Sequence, residues 1–330
     1  MQNRKVLVIG GAGYVGTELT KALLAKEFAV RVLDTFWYGE DVHHSLTGSQ
    51  LELIKGDMRN LDIVDEAMES VTDVIHLACI SNDPSFDLDP KLGKSINLDS
   101  FTPIVKRAQS AGVSRFIYAS SSSVYGVKEE ERVTEELSLE PLTDYSRFKA
   151  DCEAILLQES NTEMISTIIR PATVCGVSDR QRLDLAVNIL TMNALVNRKL
   201  TVFGGKQFRP NLHIKDMCSS YLHLLMSPAE VIHKKIYNIG GRNLTLDDIA
   251  HLVQDVVGKD VEILHKETND NRSYRVDSSK IERELGFVPK FDVRDAISDL
   301  AFAYKAGKFQ DPLTNPMYTN ISRMKELNLG

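Results

Sequence analysis

A strand-like run, Val6-Leu7-Val8-Ile9, leads without a spacer into Gly10-Gly11-Ala12-Gly13-Tyr14-Val15-Gly16. A side chain at Gly10 or Gly13 would block a tight turn and keep a pyrophosphate away from backbone N–H groups, while Gly16 allows the next helix to pack closely on a sheet. The glycines are spaced GxxGxxG rather than GxGxxG, but the physical demands are the same. Beyond them Val15, Leu19, Ala22 and Leu23 recur at helical spacing, so residues 14–26 read as a helix with one buried face. A further apolar run at 29–33 makes the opening a βαβ unit.

The same alternation continues to about residue 170, with strands expected at 5–9, 29–33, 51–54, 73–77, 114–119 and 164–169. Phe148, Cys152, Ile155 and Leu156 give a buried stripe to a helix over 144–158. This is the pattern of an α/β Rossmann fold, a doubly wound parallel sheet with helices on both faces. From about 171 the rhythm loosens. One more helix is expected near Thr245, where Thr245-Leu246-Asp247-Asp248 resembles a capping box ahead of Ile249, Leu252, Val253 and Val256. We therefore expect a cofactor-binding Rossmann domain over 1–175 and a smaller mixed α/β substrate domain over 176–330, some of whose segments return to the first.

Composition narrows the function class. Acidic residues outnumber basic ones, 46 to 39, and neither lysine nor arginine forms the run that a nucleic-acid footprint would need, so nucleic acid is not expected as a partner. Cys79, Cys152, Cys175 and Cys218 are far apart, with no CxxC pair and no Cys/His grouping, so no metal site and no disulfide framework is expected. Reduced core thiols in a cytoplasmic protein are the plain reading. No apolar stretch reaches the length of a membrane span.

The second strand ends at Asp34, where a carboxylate can accept hydrogen bonds from the adenosine ribose hydroxyls and would repel a 2′-phosphate, so NAD is expected over NADP. Arg31 is the nearby cation that could offset that preference. Trp37 and Tyr38 follow, placed either to cover the adenine or simply to pack a surface loop. Ser120-Ser121-Ser122-Ser123 comes at the carboxyl end of the strand carrying Arg115–Ala119. Tyr145-Ser146-Arg147-Phe148-Lys149 opens the 144–158 helix, and the i, i+4 spacing puts Tyr145 and Lys149 on one face. A free tyrosine has a pKa of about 10 and is a poor base at neutral pH, but an adjacent ammonium and a positive nicotinamide ring favour the phenolate. Tyr145 can then take a proton from a sugar hydroxyl as hydride leaves, with Ser121 steadying that hydroxyl.

With these motifs in this order, the chain resembles the extended short-chain dehydrogenase/reductase family, and within it the nucleotide-sugar epimerases and dehydratases. The resemblance runs over nearly the whole length and implies bound NAD and a nucleoside-diphosphate sugar as substrate. It adds Gly56-Asp57-Met58 at the adenine, Leu77 and Ala78 at the end of the fourth strand, and Asn97 in the next helix. The cofactor set it implies is Gly10, Gly13, Tyr14, Val15, Gly16, Asp34, Asp57, Met58, Leu77, Ala78, Asn97, Ala119, Tyr145, Lys149 and Pro171. Arg170-Pro171-Ala172-Thr173-Val174-Cys175-Gly176 is similar to the family's RxxNVYG stretch, with Thr173 and Cys175 where asparagine and tyrosine are frequent. For the substrate it implies Ser121, Thr173, Asn188, Arg209 and Arg272, the last three near the diphosphate, and it implies a homodimer through helices at about 91–111 and 144–158.

Within the family, dehydratases carry an Asp-Glu pair where this chain has Ser122 and Ser123. Decarboxylating relatives usually place glutamate at position 123, and 3,5-epimerases place cysteine there. What remains is chemistry at one carbon: 4-epimerisation through transient oxidation, or reduction of a 4-keto sugar by an enzyme that releases its cofactor each turnover. A third reading, an NAD-sensing regulatory protein, has no use for the Ser121/Tyr145/Lys149 set.

Overall fold

The computed structural model describes residues 4–46, 48, 50–268 and 273–329. Its strands are β1 (Lys5–Ile9), β2 (Ala29–Asp34), β3 (Leu51–Lys55), β4 (Asp73–His76), β5 (Arg115–Ala119), β6 (Ile165–Pro171), β7 (Thr173–Cys175), β8 (Lys199–Phe203), β9 (Phe208–His213), β10 (Lys235–Ile239), β11 (Asn243–Thr245) and β12 (Glu262–Lys266). Seven of them form one sheet in the order β3-β2-β1-β4-β5-β6-β10, and every pairing in it is parallel. The six strands expected from the sequence are all present, with ends shifted by a residue or two. This is the expected Rossmann architecture.

Parallel strands need both faces covered, and the alternation within β1 shows how that is done. Val6 and Val8 join a core with Leu19 and Leu23 of the helix Tyr14–Leu24 and with Met217, Tyr221 and Leu225 of the helix Ile214–Met226. Leu7 and Ile9 point the other way, onto Val64, Ile104 and Leu156 from the helices Leu61–Met68, Phe101–Ser110 and Asp144–Glu159. Each such fully buried leucine contributes about 1.5–3 kcal/mol.

Strand order reverses at β1, which has β2 on one side and β4 on the other. Loops leaving the carboxyl ends of β1 and β4 therefore diverge and leave a crevice above the sheet. The stretch from 90 to 110 is helical, as expected, but is broken by a π turn at Ser95–Asp99. Later parts of the chain come back to this unit: β10 completes one edge of the sheet, and Met324 of the helix Asn320–Glu326 is buried in its second core. Another part of the later chain surrounds a core of its own, formed by the helices Ala186–Asn197, Leu246–Val257 and Val293–Lys305. The capping box expected at Thr245 is formed: Thr245 Oγ1 accepts from Asp248 N at 3.1 Å, and Asp248 Oδ2 accepts from Thr245 N at 2.9 Å. Among the described residues no helix is long and apolar enough to cross a membrane, and no three His, Cys, Asp or Glu side chains are grouped to hold a metal.

His76, at the end of β4, is buried against Phe101, Phe116 and Tyr118, and among the described residues neither ring nitrogen has a hydrogen-bond partner. Burial, with help from the Lys149 charge, lowers its pKa to about 3. The unfolded chain protonates His76 near pH 6.5 whereas the folded chain does not, so this site leaves stability intact above pH 6.5 and removes it progressively as pH falls toward 3. The expected slope is about 1.4 kcal/mol per pH unit within that window. Urea titrations of wild type and His76→Phe at pH 7, 6 and 5 should show the variant losing less stability on acidification, and parallel losses would remove His76 as a cause.

Candidate active site

The glycine turn is shaped by two close approaches. Gly10 has φ +87°, and a Cβ there would lie 2.6 Å from the Ala78 amide nitrogen at the end of β4. A Cβ on Gly16 would strike the Gly10 carbonyl and the Gly11 backbone, so Gly16 lets the helix close onto the turn itself, where packing on the sheet was expected. Gly13 differs. A Cβ there would meet only the Gly10 oxygen, at 3.3 Å. Gly13 begins the helix with no side-chain cap, and the first turn holds no acidic residue. The helix start thus keeps its N–H groups and positive dipole end open to an anion.

Asp34 ends β2 beside that turn. Its Oδ2 accepts from Ala12 N at 3.0 Å and its Oδ1 from Phe36 N at 2.8 Å, which ties the turn to the next loop. Burial pushes the Asp34 carboxyl up in pKa, opposed by these backbone donors and by the Arg180 charge. Arg31 is turned away and committed elsewhere, to Glu52 at 2.6 Å and to the carbonyls of Glu66, Ala67 and Glu69. It is therefore not placed to receive a 2′-phosphate. Protein denatured after purification should release NAD in clear excess over NADP when the extract is chromatographed. A preparation carrying mostly NADP would overturn the role given to Asp34.

At the other end of the crevice the helix Asp144–Glu159 is started by Thr143 and Ser146, which cap each other. That places Tyr145 in the first turn, where the helix dipole favours a negative oxygen. Lys149, one turn on and buried, donates from Nζ to the Ala119 carbonyl at 2.7 Å and lies 6.0 Å from the Tyr145 ring centre. Burial pushes the Tyr145 phenol well above its usual pKa, with Cys79 and Asp83 adding to the rise. Arg182 and a hydrogen bond to Ser121 pull it down. The sequence pointed to Lys149 alone as the residue lowering this pKa; the structure adds the Arg182 charge and sets Lys149 on the Ala119 carbonyl beside the Tyr145 ring.

The serine run divides its work. Ser120 donates to Glu153 below the crevice. Ser121 and Ser123 share a hydrogen bond at 2.8 Å, and Ser122 is buried 3.3 Å from the Tyr274 hydroxyl. These residues line a cleft of about 560 Å³ together with Gly10, Gly13, Tyr14, Val15, Gly16, Asp34, Asp57, Met58, Leu77, Ala78, Ala119, Tyr145, Lys149, Pro171, Thr173 and Arg209. Asn97 is not on the cleft wall. Its amide clasps the Ile80 backbone, with Oδ1 accepting at 2.8 Å and Nδ2 donating at 3.0 Å, and so shapes the loop after β4. Asn188 is also set back: it is buried, accepts from Gly176 N, and donates to the Arg182 carbonyl and to the Tyr14 hydroxyl. Arg272 lies outside the described residues.

Trp37 and Tyr38, which the sequence left open between covering the adenine and packing a surface loop, line the cleft wall. Other cleft residues escaped the sequence reading. The Arg180 guanidinium lies 3.6 Å from the Tyr38 ring centre. Arg182 bonds Asp184 at 2.6 Å and Ser81 at 3.0 Å. Asn320, from the last helix, accepts from Arg180 at 2.6 Å and donates to Ser81 at 3.1 Å, while Arg323 donates to the Trp37 carbonyl at 2.6 Å. The end of the chain therefore spans the crevice from the loop after β2 to the loop after β4. Two arginines and an aspartate within 180–184, just past a glycine, were the available signal for part of this, but nothing local marks Asn320.

An open helix start, a ribose-side carboxylate and a phenol beside an ammonium suit an enzyme that holds a dinucleotide and moves a proton together with a hydride. The chain belongs to the NAD-dependent epimerase/dehydratase family, whose model matches residues 6–240. UDP-glucose 4-epimerase of Lactobacillus helveticus is 25% identical over 322 residues, covering 91% of this chain and 96% of the relative. dTDP-glucose 4,6-dehydratase of Streptomyces griseus is 26% identical over 328 residues, covering 93% and 96%. The crystal structure of UDP-glucuronic acid 4-epimerase from Bacillus cereus, in complex with UDP-glucuronic acid and NAD, aligns with a TM-score of 0.83 and 26% identity over 92% of this chain and 99% of that one.

Proposed function

We propose that the protein is an NAD-dependent epimerase that inverts C4 of a sugar carried on a nucleoside diphosphate. The observation that carries this reading is the make-up of the reacting end: Tyr145 and Ser121 on one cleft wall, Lys149 6.0 Å from the Tyr145 ring centre, and hydroxyls rather than carboxylates at 122 and 123. NAD fits the crevice because the glycine turn admits a diphosphate and Asp34 stands at the ribose, and when bound it supplies a hydride acceptor and a positively charged ring. Tyr145 takes the proton of the C4 hydroxyl while Ser121 holds that oxygen. Lys149 and Arg182 favour the phenolate during this step. After the keto sugar turns over in the cleft, Tyr145 returns the proton as C4 regains its hydride on the other face.

The sugar nucleotide is assigned to the cleft wall formed by Thr173 and Arg209, with residues 1–175 serving mainly the cofactor and 176–330 mainly the substrate, and segments of each reaching the other's ligand. A second groove shares Ala186 with the cleft and is lined by Ile189, Leu190, Thr201, Phe203 and Leu246. Its apolar walls suit the nucleoside end. The chain end spanning the crevice favours an enzyme that keeps its cofactor, as an epimerase does, over a keto-sugar reductase that must exchange it. We further propose a homodimer through the helices Phe101–Ser110 and Asp144–Glu159, whose outer residues Lys106, Asp151, Ala154 and Gln158 are exposed, and a cytoplasmic setting in keeping with four free cysteines.

A sugar nucleotide deuterated at C4 tests the reaction. In ordinary water the product should be inverted at C4 with deuterium still on C4, because the same hydride leaves and returns. Asp83, which lies near enough to raise the Tyr145 pKa, is the acidic group that an elimination or enolisation would recruit. Deuterium at C6, or solvent label at C3 or C5, would show that it does so and would replace epimerisation with that chemistry. Net consumption of reduced cofactor on a keto sugar would replace it with reduction.

A further inference from the structure

We propose that Arg180 is a cofactor-binding residue whose guanidinium holds the diphosphate of the dinucleotide. Arg180 is 3% exposed and lines the cleft, in the segment that follows β7. That segment lies along the start of the helix Tyr14–Leu24: Ser178 Oγ donates to the Tyr14 carbonyl at 2.8 Å, and Asp179 N donates to Glu18 at 3.0 Å. The same helix start is the open anion end described above.

Arg180 is placed along the cofactor by its neighbours: Tyr38 stands in the loop after Asp34, at the ribose end, and Arg182, two residues on, bonds Ser81 in the loop after β4. In an extended dinucleotide the diphosphate is what lies between the adenosine ribose and the nicotinamide. Part of the side chain is fixed by the protein, with Nη2 on Asn320 at 2.6 Å and the guanidinium plane against Tyr38. Its Nε is buried with no hydrogen-bond partner among the described residues.

Arg182 is neutralised by a direct bond to Asp184, but among the described residues Arg180 makes no such ion pair. Burial, with Arg182 adding to it, lowers the Arg180 pKa to about 10, so the site holds a cation in want of a counter-charge. A diphosphate supplies that charge and acceptors for Nε, and a planar guanidinium suits phosphate oxygens. Because Asn320 belongs to the last helix, the same contact fastens the chain end over the cofactor.

The proposal rests on the family's use of NAD and not on which sugar is turned over, so it is tested by binding alone. Adenosine, ADP and NAD are titrated calorimetrically into wild type, Arg180→Gln and Arg180→Lys freed of nucleotide, with circular dichroism confirming the fold. Loss of a charged hydrogen-bonded contact should weaken ADP and NAD by about 20-fold in Arg180→Gln. Adenosine should change less than about threefold, and Arg180→Lys should recover part of the loss. Adenosine weakened as much as ADP would make Arg180 a strut for Tyr38 and overturn the proposal. So would NAD affinity within threefold of wild type, or a loss confined to NADP. Should Arg180→Gln not fold, Arg180→Lys carries the test through the same contrast between ADP and adenosine.

Discussion

Tyr145→Phe should lower kcat by roughly 10²–10⁴-fold, the range for removing a positioned proton acceptor. NAD affinity and thermal stability should stay near wild type. The substitution removes one oxygen and little volume, and Ser121 keeps its bond to Ser123. Burial holds the Tyr145 phenol above its usual pKa, so the active phenolate depends on the positive charges that counter that rise. Turnover should therefore rise with pH, and Lys149→Ala should lower both turnover and cofactor binding. Steady-state kinetics alongside NAD titration checks each point. A Tyr145→Phe enzyme retaining more than about a tenth of wild-type kcat, far outside the expected range, would send the proton by another route and withdraw the assignment.

Much of this site was readable in the chain because its parts are local. A glycine turn is a run of adjacent residues, a carboxylate ends a strand, and a Tyr/Lys pair is one helical turn apart, so each carries its geometry in its spacing. Residues whose role depends on distant partners were not readable in the same way. Asn188 stands in the right order for a diphosphate contact, yet its amide is spent on Gly176, Arg182 and the Tyr14 hydroxyl. Tyr14 is thereby drawn into a bond with the later half of the chain, a pairing no local pattern reports. The chain end over the crevice is the extreme case, since Arg323 meets Trp37 through a contact spanning most of the sequence.

Arg170 shows the same limit and leads to the largest stability effect expected. In the sequence it opens the stretch resembling RxxNVYG, but in the fold it faces away from the cleft. Its Nη2 and Nε bond Glu153 at 2.6 and 2.9 Å, and its Nη1 bonds the Tyr125 hydroxyl at 2.9 Å. Both charged side chains are almost wholly buried, at 4% and 3% exposure. Glu153 also accepts from Ser120, and it stands on the helix that carries Tyr145 and Lys149. The pair thus pins the catalytic helix to β6 and to the start of the serine run. Removing one partner strands a charge out of water, so Arg170→Ala or Glu153→Ala should each cost about 3–5 kcal/mol, read as a fall in the urea midpoint. The double variant Arg170→Met/Glu153→Leu removes both charges and fills the volume, so it should lose less than either single variant despite carrying more changes. Its activity should nevertheless stay well below wild type, because Ser120 has lost the acceptor that holds it and the helix has lost its anchor to β6. A double variant as unstable as the sum of the singles would mean that the pair does not act as a unit. Full activity in that variant would mean that the serine run and the catalytic helix keep their places without it.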